Sequence, residues 1–221
     1  MDVKGRCNLC ATVTPKAAMG RHLERCLAAH SVGQGTGDGL FLLRVEGSQA
    51  PFYWLDLEAQ SVARLSDLDR FLRHIWLECC GHCSAFEIGS TMYTKAFVGS
   101  LRRDRQRSLH VTLREALGGV TTWFKYEYDY GSPTYLRLRV RGSRSGVIGR
   151  QPVRLLARNE PPVWHCRVCG APATALCCYC AAERDPLFCD EHSSQHRCGD
   201  EALLPVVNSP RIGVCGYTGE G

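Results

Sequence analysis

Residues 123–130 read Trp-Phe-Lys-Tyr-Glu-Tyr-Asp-Tyr, and this stretch decides the fold class. From Phe124 to Tyr130, aromatic residues alternate with Lys, Glu and Asp, which is the period-2 pattern of a strand with one buried face. Gly-Ser-Pro at 131–133 predicts a turn, and residues 135–140 then alternate again as Tyr-Leu-Arg-Leu-Arg-Val. The two stretches predict successive strands of one sheet.

The flanking sequence adds more strands and two helices. Residues 40–45, 52–57 and 153–156 have strand character, and residues 111–117 predict a short helix that Gly118-Gly119 ends. A longer helix follows Ser66, which we expect to be its N-cap, and Gly81 is expected just beyond its end. Strands and helices do not alternate as βαβ units. We therefore predict an α+β fold with a central, mostly antiparallel sheet and helices on one face, flanked by two small modules.

The cysteine count points to metal. The chain has 221 residues and 14 cysteines. It contains no run of about 18 apolar residues, so we expect no membrane span. Its first ten residues lack the apolar core of a signal peptide. A cytoplasmic protein is expected to keep its thiols reduced, and this many cysteines then predict zinc sites rather than disulfides.

The first zinc motif lies at the N-terminus. Cys7 and Cys10 are separated by two residues, and His22 and Cys26 are four residues apart in a helix-forming segment. On a helix these last two side chains project from one face toward the Cys-x2-Cys pair, which completes a four-ligand site. Residues 1–30 are therefore predicted to be a zinc finger with three Cys ligands and one His ligand. His30 is a bystander, and residues 31–39 form a Gly-rich linker.

The second motif contains four successive ligand pairs. Two pairs have the spacing Cys-x2-Cys, the third is Cys-x2-His and the fourth His-x-Cys. In cross-braced modules, pairs one and three bind one metal ion and pairs two and four the other. We assign Cys166, Cys169, Cys189 and His192 to one ion, and Cys177, Cys180, His196 and Cys198 to the second. Cys178 could replace Cys177, and Cys215 has no assignment. Together with the finger, we expect about three zinc ions per chain.

The cysteine-rich segment resembles a B-box module, above all in Phe-Cys-Asp-Glu-His-Ser-Ser-Gln-His at 188–196. Pro161-Pro162 marks its start. The resulting domain assignment is a finger at 1–30, a linker at 31–39, an α+β domain at 40–158, and a B-box-like module with a tail at 161–221.

Cys79-Cys80-Gly81-His82-Cys83 follows the predicted long helix. We interpret these cysteines as buried residues that close a core helix. Two alternatives remain at this point. The segment could bind a metal ion, although five consecutive residues do not easily surround one, or Cys80 and His82 could form a reactive thiolate pair.

Three other stretches carry a family resemblance. They are Tyr-Trp-Leu-Asp-Leu at 53–57 with residues 65–82 and 84–89, Tyr-Glu-Tyr-Asp-Tyr-Gly-Ser at 126–132, and the tail at 204–217. In these stretches the chain resembles the bacterial ORF-three-like family named from a root-inducing plasmid, also described as the insertion-sequence passenger TnpR family. The resemblance implies a compact α+β domain, often flanked by zinc modules, in plasmid-borne or mobile DNA. It departs at Cys83, where the family has Leu.

Charge distribution suggests a binding surface. Residues 99–158 carry 13 basic residues against 4 acidic ones, whereas residues 46–78 carry 3 Arg against 6 acids. Arg137, Arg139 and Arg141 alternate on one predicted strand, so their side chains point the same way at about 7 Å spacing. That spacing suits successive phosphates of a nucleic-acid strand.

We therefore expect a non-enzymatic zinc-binding protein of a bacterial mobile or plasmid-borne element that recognises DNA or RNA through an Arg-rich face. One alternative is an adaptor that binds another protein, as B-box-like modules commonly do. A less favoured alternative is a nuclease or recombinase that uses Glu127 and Asp129 as paired acids, or Cys80 with His82.

Overall fold

The computed structural model describes residues 3–30, 39–95, 105–119, 123–180 and 186–219. These residues divide into two compact units. The first comprises residues 1–72 and 82–160, and the second comprises residues 73–81 and 161–221. Most of the predicted linker at 31–39 lies outside the described residues.

A ten-stranded, mostly antiparallel sheet forms the first unit. Its strands, in the order in which they lie side by side, are β2-β1-β10-β4-β3-β9-β8-β5-β6-β7. Among the described strands, β6 and β7 pair in parallel and the other neighbouring pairs are antiparallel. The strands are β1 (Lys4–Cys7), β2 (Val13–Pro15), β3 (Gly39–Gly47), β4 (Trp54–Gln60), β5 (Ser84–Ile88), β6 (Thr91–Thr94), β7 (Gln106–Ser108), β8 (Trp123–Tyr128), β9 (Thr134–Ser145) and β10 (Val153–Asn159).

The alternating aromatic residues at 123–128 form β8, an interior strand of this sheet. β8 pairs with β9, with Tyr126 opposite Leu136. Phe124, Tyr126 and Tyr128 are buried, whereas Lys125 is exposed. β8 ends at Tyr128 because Asp129 adopts a positive φ of 70°, which a strand does not contain. The predicted α+β class with a mostly antiparallel sheet is confirmed.

The predicted N-terminal finger shares this sheet. β1 pairs with β10, with Cys7 opposite Ala157, and β2 continues the sheet outward from β1. Helix α1 (Lys16–His30) packs on the same end of the sheet through an apolar cluster. That cluster contains Cys7, Met19, Leu23, Cys26, Leu27, Trp54, Leu156 and Ala157. The segment therefore continues the sheet rather than standing apart from it.

Helices α1 and α2 lie on opposite faces of the sheet. Helix α2 (Leu65–Leu72) lies on the aromatic face, since Asp69 accepts a hydrogen bond of 2.7 Å from the Tyr126 hydroxyl. Helix α1 lies on the other face, where a Cβ added to Gly20 would come within 2.3 Å of the Arg141 side chain.

Two details of helix α2 differ from the sequence prediction. Ser66 is not the N-cap, because the helix already begins at Leu65 and the Asp67 carboxylate accepts from the Arg64 N–H at 2.9 Å. Gly81, at φ +81°, is not the residue that ends the helix either. A π-helical turn, Arg73–Leu77, follows α2, and Gly81 comes four residues after its end.

Helix α3 (Leu113–Leu117) is short and depends on its cap. Thr112 accepts a hydrogen bond from the Glu115 N–H, and the Glu115 carboxylate accepts from the Thr112 N–H at 2.9 Å. This is a capping box, in which each residue pairs with a backbone N–H group that a helix terminus otherwise leaves unpaired.

Replacing Thr112 with alanine is expected to lower the free energy of unfolding by about 1 kcal/mol, because the Glu115 N–H loses its acceptor. Chemical denaturation followed by circular dichroism measures the effect. Thr112→Ser is the matched control, since serine keeps the hydroxyl acceptor and should remain close to the parent protein. Equal stability of all three proteins would show that the cap does not support the helix.

Charged residues are buried on the sheet face that carries α1. Arg44 donates two hydrogen bonds to Asp56, at 2.7 and 2.8 Å, and both side chains are less than a tenth exposed. The Arg44 guanidinium also lies 4.7 Å from the centre of a Trp54 ring. Glu58 is fully buried and pairs with Arg144 and Arg154. Burial of these charges depends on their pairing.

The second unit is built from short elements. A three-stranded antiparallel sheet has the order β12-β11-β13, and its small core contains Cys177, Cys180, Phe188 and Ala202. The elements are β11 (Ala175–Cys177), β12 (Leu187–Phe188), helix α4 (Asp190–Ser194), a 3-10 turn (Asp200–Ala202) and β13 (Leu203–Pro205), together with the π-helical turn at 73–77.

Within the described part of the chain, no helix has the length and apolarity needed to cross a membrane.

Candidate metal centres

Among the residues that the structure describes, four groups of Cys and His side chains are placed to hold metal ions. In each group, the four candidate ligand atoms lie within 4.8 Å of one another. Three groups contain the residues that spacing singled out, and the fourth includes a cysteine that spacing left unassigned. Each group has four protein ligands.

The first group consists of Cys7, Cys10, His22 and Cys26. Cys7 ends β1, and the chain turns back so that the Ala11 N–H donates to the Cys7 carbonyl at 2.8 Å. Helix α1 brings the other two ligands to this turn. The Sγ atoms of Cys7 and Cys26 are 3.8 Å apart, and Cys10 Sγ is 3.3 Å from His22 Nε2.

The pKa values of two thiols in this group are shifted in opposite directions. A hydrogen bond with the Thr12 hydroxyl and another with the Thr12 backbone lower the pKa of Cys10 to about 6. Burial raises the pKa of Cys26 to about 12, and the neighbouring Cys10 and Cys7 add to this rise. Thiolates this close together repel one another. A cation bound among the sulfur atoms would offset that repulsion, because its charge attracts every thiolate.

The second group lies in the second unit and consists of Cys166, Cys169, Cys189 and His192. Cys169 and Cys189 have their Sγ atoms 3.7 Å apart, and Cys189 Sγ is 3.2 Å from His192 Nδ1. Burial acts to raise the pKa of Cys166, but backbone N–H groups, those of Cys169 and Cys189 first, outweigh it and lower the pKa to about 6.

The third group consists of Cys177, Cys180, His196 and Cys198. Cys180 Sγ lies 3.5 Å from His196 Nε2 and 3.8 Å from Cys198 Sγ. Ligand pairs one and three thus converge at the second group and pairs two and four at the third, which is the cross-brace arrangement. Cys177 belongs to this group, whereas Cys178 packs against the small core beside it.

The fourth group consists of Cys79, Cys80, His82 and Cys215. Our interpretation of 79–83 as buried cysteines was wrong, because Cys79 is half-buried and Cys80 and Cys83 are exposed. Cys83 does not join the group. Cys215 joins the group from a distant part of the chain, so the group does not depend on five consecutive residues surrounding one ion. It lies 135 positions after Cys80, and no spacing rule connects the two residues.

The three arginines chosen as a nucleic-acid contact share one face of β9 but differ in their surroundings. Arg137 donates to Glu46 at 3.2 Å, and its guanidinium lies 5.1 Å from the centre of a Trp123 ring. Arg139 and Arg141 line a groove of about 610 Å³ in the first unit. The groove is lined by Val3, Lys16, Ala17, Arg44, Glu46, Pro51, Phe52, Trp123, Arg139 and Arg141.

Glu127 and Asp129 do not form paired acids on one strand, because β8 ends before Asp129. The Asp129 carboxylate is 4% exposed and accepts from the Gly131 and Ser132 N–H groups at 3.0 and 3.2 Å. Burial raises the pKa of Glu127. No metal-binding group among the described residues includes either acid.

Comparison with known proteins gives no function. No protein-family model matches the chain. No curated protein matches it either. The chain is similar in part to one solved structure, a protein of unknown function, MM3350, from Methanosarcina mazei Go1. It is 14% identical and has a TM-score of 0.45, and the match covers 56% of this chain and 70% of that one.

Proposed function

We propose that this protein is a non-enzymatic zinc-binding protein of a bacterial mobile or plasmid-borne element, and that it binds a nucleic-acid strand in the groove beside β9. The zinc ions stabilise the two units, and the groove makes the contact. The observation that carries the binding proposal is the exposed Arg139 next to the exposed Trp123.

Sulfur geometry supports zinc as the metal. With Zn–S bonds near 2.3 Å, tetrahedral coordination places two sulfur ligands about 3.8 Å apart, and sulfur and nitrogen about 3.5 Å apart. The shortest Sγ–Sγ approaches in the four groups are 3.7 to 3.8 Å, and sulfur–nitrogen approaches in the first three groups are 3.2 to 3.5 Å. Four protein ligands per ion are typical of structural zinc, which leaves no open position for chemistry.

The charge of the groove supports an anionic partner. Lys16 and Arg137 both pair with Glu46, and Arg44 pairs with Asp56. Arg139 has no carboxylate within 4 Å among the residues that the structure describes, and the Arg141 guanidinium lies 3.9 Å from Asp56. Five cations in the groove or beside it thus share two carboxylates, Glu46 in the groove and Asp56 beside it, and the excess positive charge lies at the exposed side chains of Arg139 and Arg141.

Aromatic side chains in the same groove favour a single strand over a duplex. Trp123 lies opposite Arg139 in the register of β8 and β9, and it is 39% exposed. Phe52 lines the groove as well. Unpaired bases stack on exposed aromatic rings while nearby cations bind the phosphates, whereas a duplex hides its base faces.

Alanine substitution of both Arg139 and Arg141 is expected to weaken binding of a labelled 20-nucleotide single strand. If each arginine binds one phosphate, the slope of log affinity against log salt becomes shallower by about 1.4, because single strands give about 0.7 per phosphate. Trp123→Ala should weaken binding by about 5-fold to 150-fold, the usual range for one stacked base. Fluorescence anisotropy over a salt series measures both effects.

Arg150→Ala is the matched control, since Arg150 is exposed, belongs to the same unit and does not line the groove. It should leave both the affinity and the salt slope close to those of the parent protein. An affinity that does not change with salt concentration would contradict the groove assignment. So would an equal loss of affinity in Arg150→Ala and in the double substitution. No binding of either DNA or RNA would favour the protein-adaptor alternative instead.

A further inference from the structure

Cys79, Cys80 and Cys215 converge within the second unit. Their sulfur atoms make two short approaches, 3.7 Å between Cys79 and Cys80 and 3.8 Å between Cys80 and Cys215. A disulfide bond would bring the sulfurs to about 2.05 Å, whereas shared tetrahedral zinc requires about 3.8 Å.

A buried arginine lies against this group. Arg211 is fully buried, and its guanidinium donates to Cys79 Sγ at 3.4 Å. Ser209 fixes the segment in place, since its hydroxyl donates to the Trp76 carbonyl at 2.6 Å and accepts from the Arg211 N–H at 2.9 Å. Both ends of this contact belong to the second unit.

Charge counting connects the arginine with a bound metal ion. Three thiolates around Zn²⁺ carry a net charge of about −1, and a neutral fourth ligand leaves that charge unchanged. The buried guanidinium carries +1 and neutralises the site, which makes the burial of that charge favourable. N–H groups that donate to ligand sulfur are also a common feature of the surroundings of metal ligands.

We propose that Cys79, Cys80 and Cys215 of the second unit bind a fourth zinc ion, and that Arg211 neutralises the site. The ion would tie the C-terminal tail at Cys215 to the segment that follows the π-helical turn. This proposal goes beyond the three-ion expectation and does not require the groove beside β9 to bind nucleic acid.

Metal content of the purified full-length chain tests the proposal. Elemental analysis by mass spectrometry is expected to find four zinc ions per chain, and three in Cys215→Ser. Cys83→Ser is the matched control, because Cys83 is exposed and close in sequence but outside the group. It should keep four ions. Three ions in the parent protein, or an unchanged count in Cys215→Ser, would overturn the proposal.

Alkylation of the native parent protein provides a readout that does not depend on the folding of a variant. With zinc bound, Cys79, Cys80 and Cys215 should resist iodoacetamide, whereas Cys83 should react, and a chelator should abolish the difference. Peptide mass spectrometry identifies the modified residues. Equally fast modification of Cys80, Cys215 and Cys83 before chelation would overturn the proposal even where the metal count is four.

Arg211 has its own test as a positioning residue. Arg211→Met is expected to weaken zinc binding at this site by about 10-fold to 100-fold, the usual effect of a lost partner of a metal ligand. Arg211→Lys keeps the charge and should recover part of the affinity. Competition with a chromogenic chelator measures both variants. Unchanged affinity in Arg211→Met would show that the guanidinium does not act on the metal.

Discussion

Cys180→Ser is expected to release at least one zinc ion and to unfold the cysteine-rich segment at 161–219. The strands of this unit have only two or three residues each, and two of the four residues in its core, Cys177 and Cys180, are themselves candidate ligands. Zinc binding contributes about 10–16 kcal/mol to the folding of modules of this size. Without the ion, little apolar area remains to stabilise the segment.

Limited trypsin digestion and elemental analysis measure this effect together. Cleavage after Arg167 and Arg197 should become fast in Cys180→Ser and remain slow in the parent protein. Cys178→Ser is a close control, because Cys178 packs against the same core and belongs to no metal group among the described residues. If Cys180→Ser keeps its zinc and its protease resistance, zinc does not hold this module together.

Asp56→Ala is expected to have the second large effect, a loss of about 3 kcal/mol in the free energy of unfolding. Arg44 is 7% exposed, and its guanidinium donates two hydrogen bonds to the Asp56 carboxylate. Removing the carboxylate leaves a buried guanidinium whose other acidic neighbour, Glu46, lies 3.9 Å away. A charge without a close partner in the interior is costly.

Urea unfolding of the zinc-loaded chain measures the change in stability. Glu160→Ala removes the partner of Arg6 in an ion pair whose side chains are 54% and 37% exposed. Water already solvates that pair, so its loss should cost less than about 1 kcal/mol. Similar losses in the two variants would mean that burial does not determine the strength of the Arg44–Asp56 pair.

The sequence predicts those features whose determinants are close together in the chain. The alternation at 123–130 requires only that one face of a strand be buried, and β8 follows it to Tyr128. The cross-brace groups depend on ligand pairs with fixed local spacing, and the structure brings the assigned residues together. Periodicity and spacing are local properties, so a single sequence is enough to detect them.

Features that join distant segments could not be foreseen in this way. Cys215 meets Cys80 only because the tail folds back over more than a hundred residues. The partners of the arginines show the same limit. Arg137 of β9 donates to Glu46 of the neighbouring strand β3, and the count of charges along the chain does not reveal this pair. Pairing of β1 with β10 likewise depends on the tertiary fold.

That pairing gives the first metal group a protective role. β10 lies between β4 and β1, and residues 157–159 of β10 pair with residues 5–7 of β1. An uncovered strand edge presents a row of unpaired N–H and C=O groups to other chains, which is how intermolecular sheets and aggregates begin. By holding residues 4–30 in place, a zinc ion at Cys7, Cys10, His22 and Cys26 would keep β10 covered and so protect the chain against self-association.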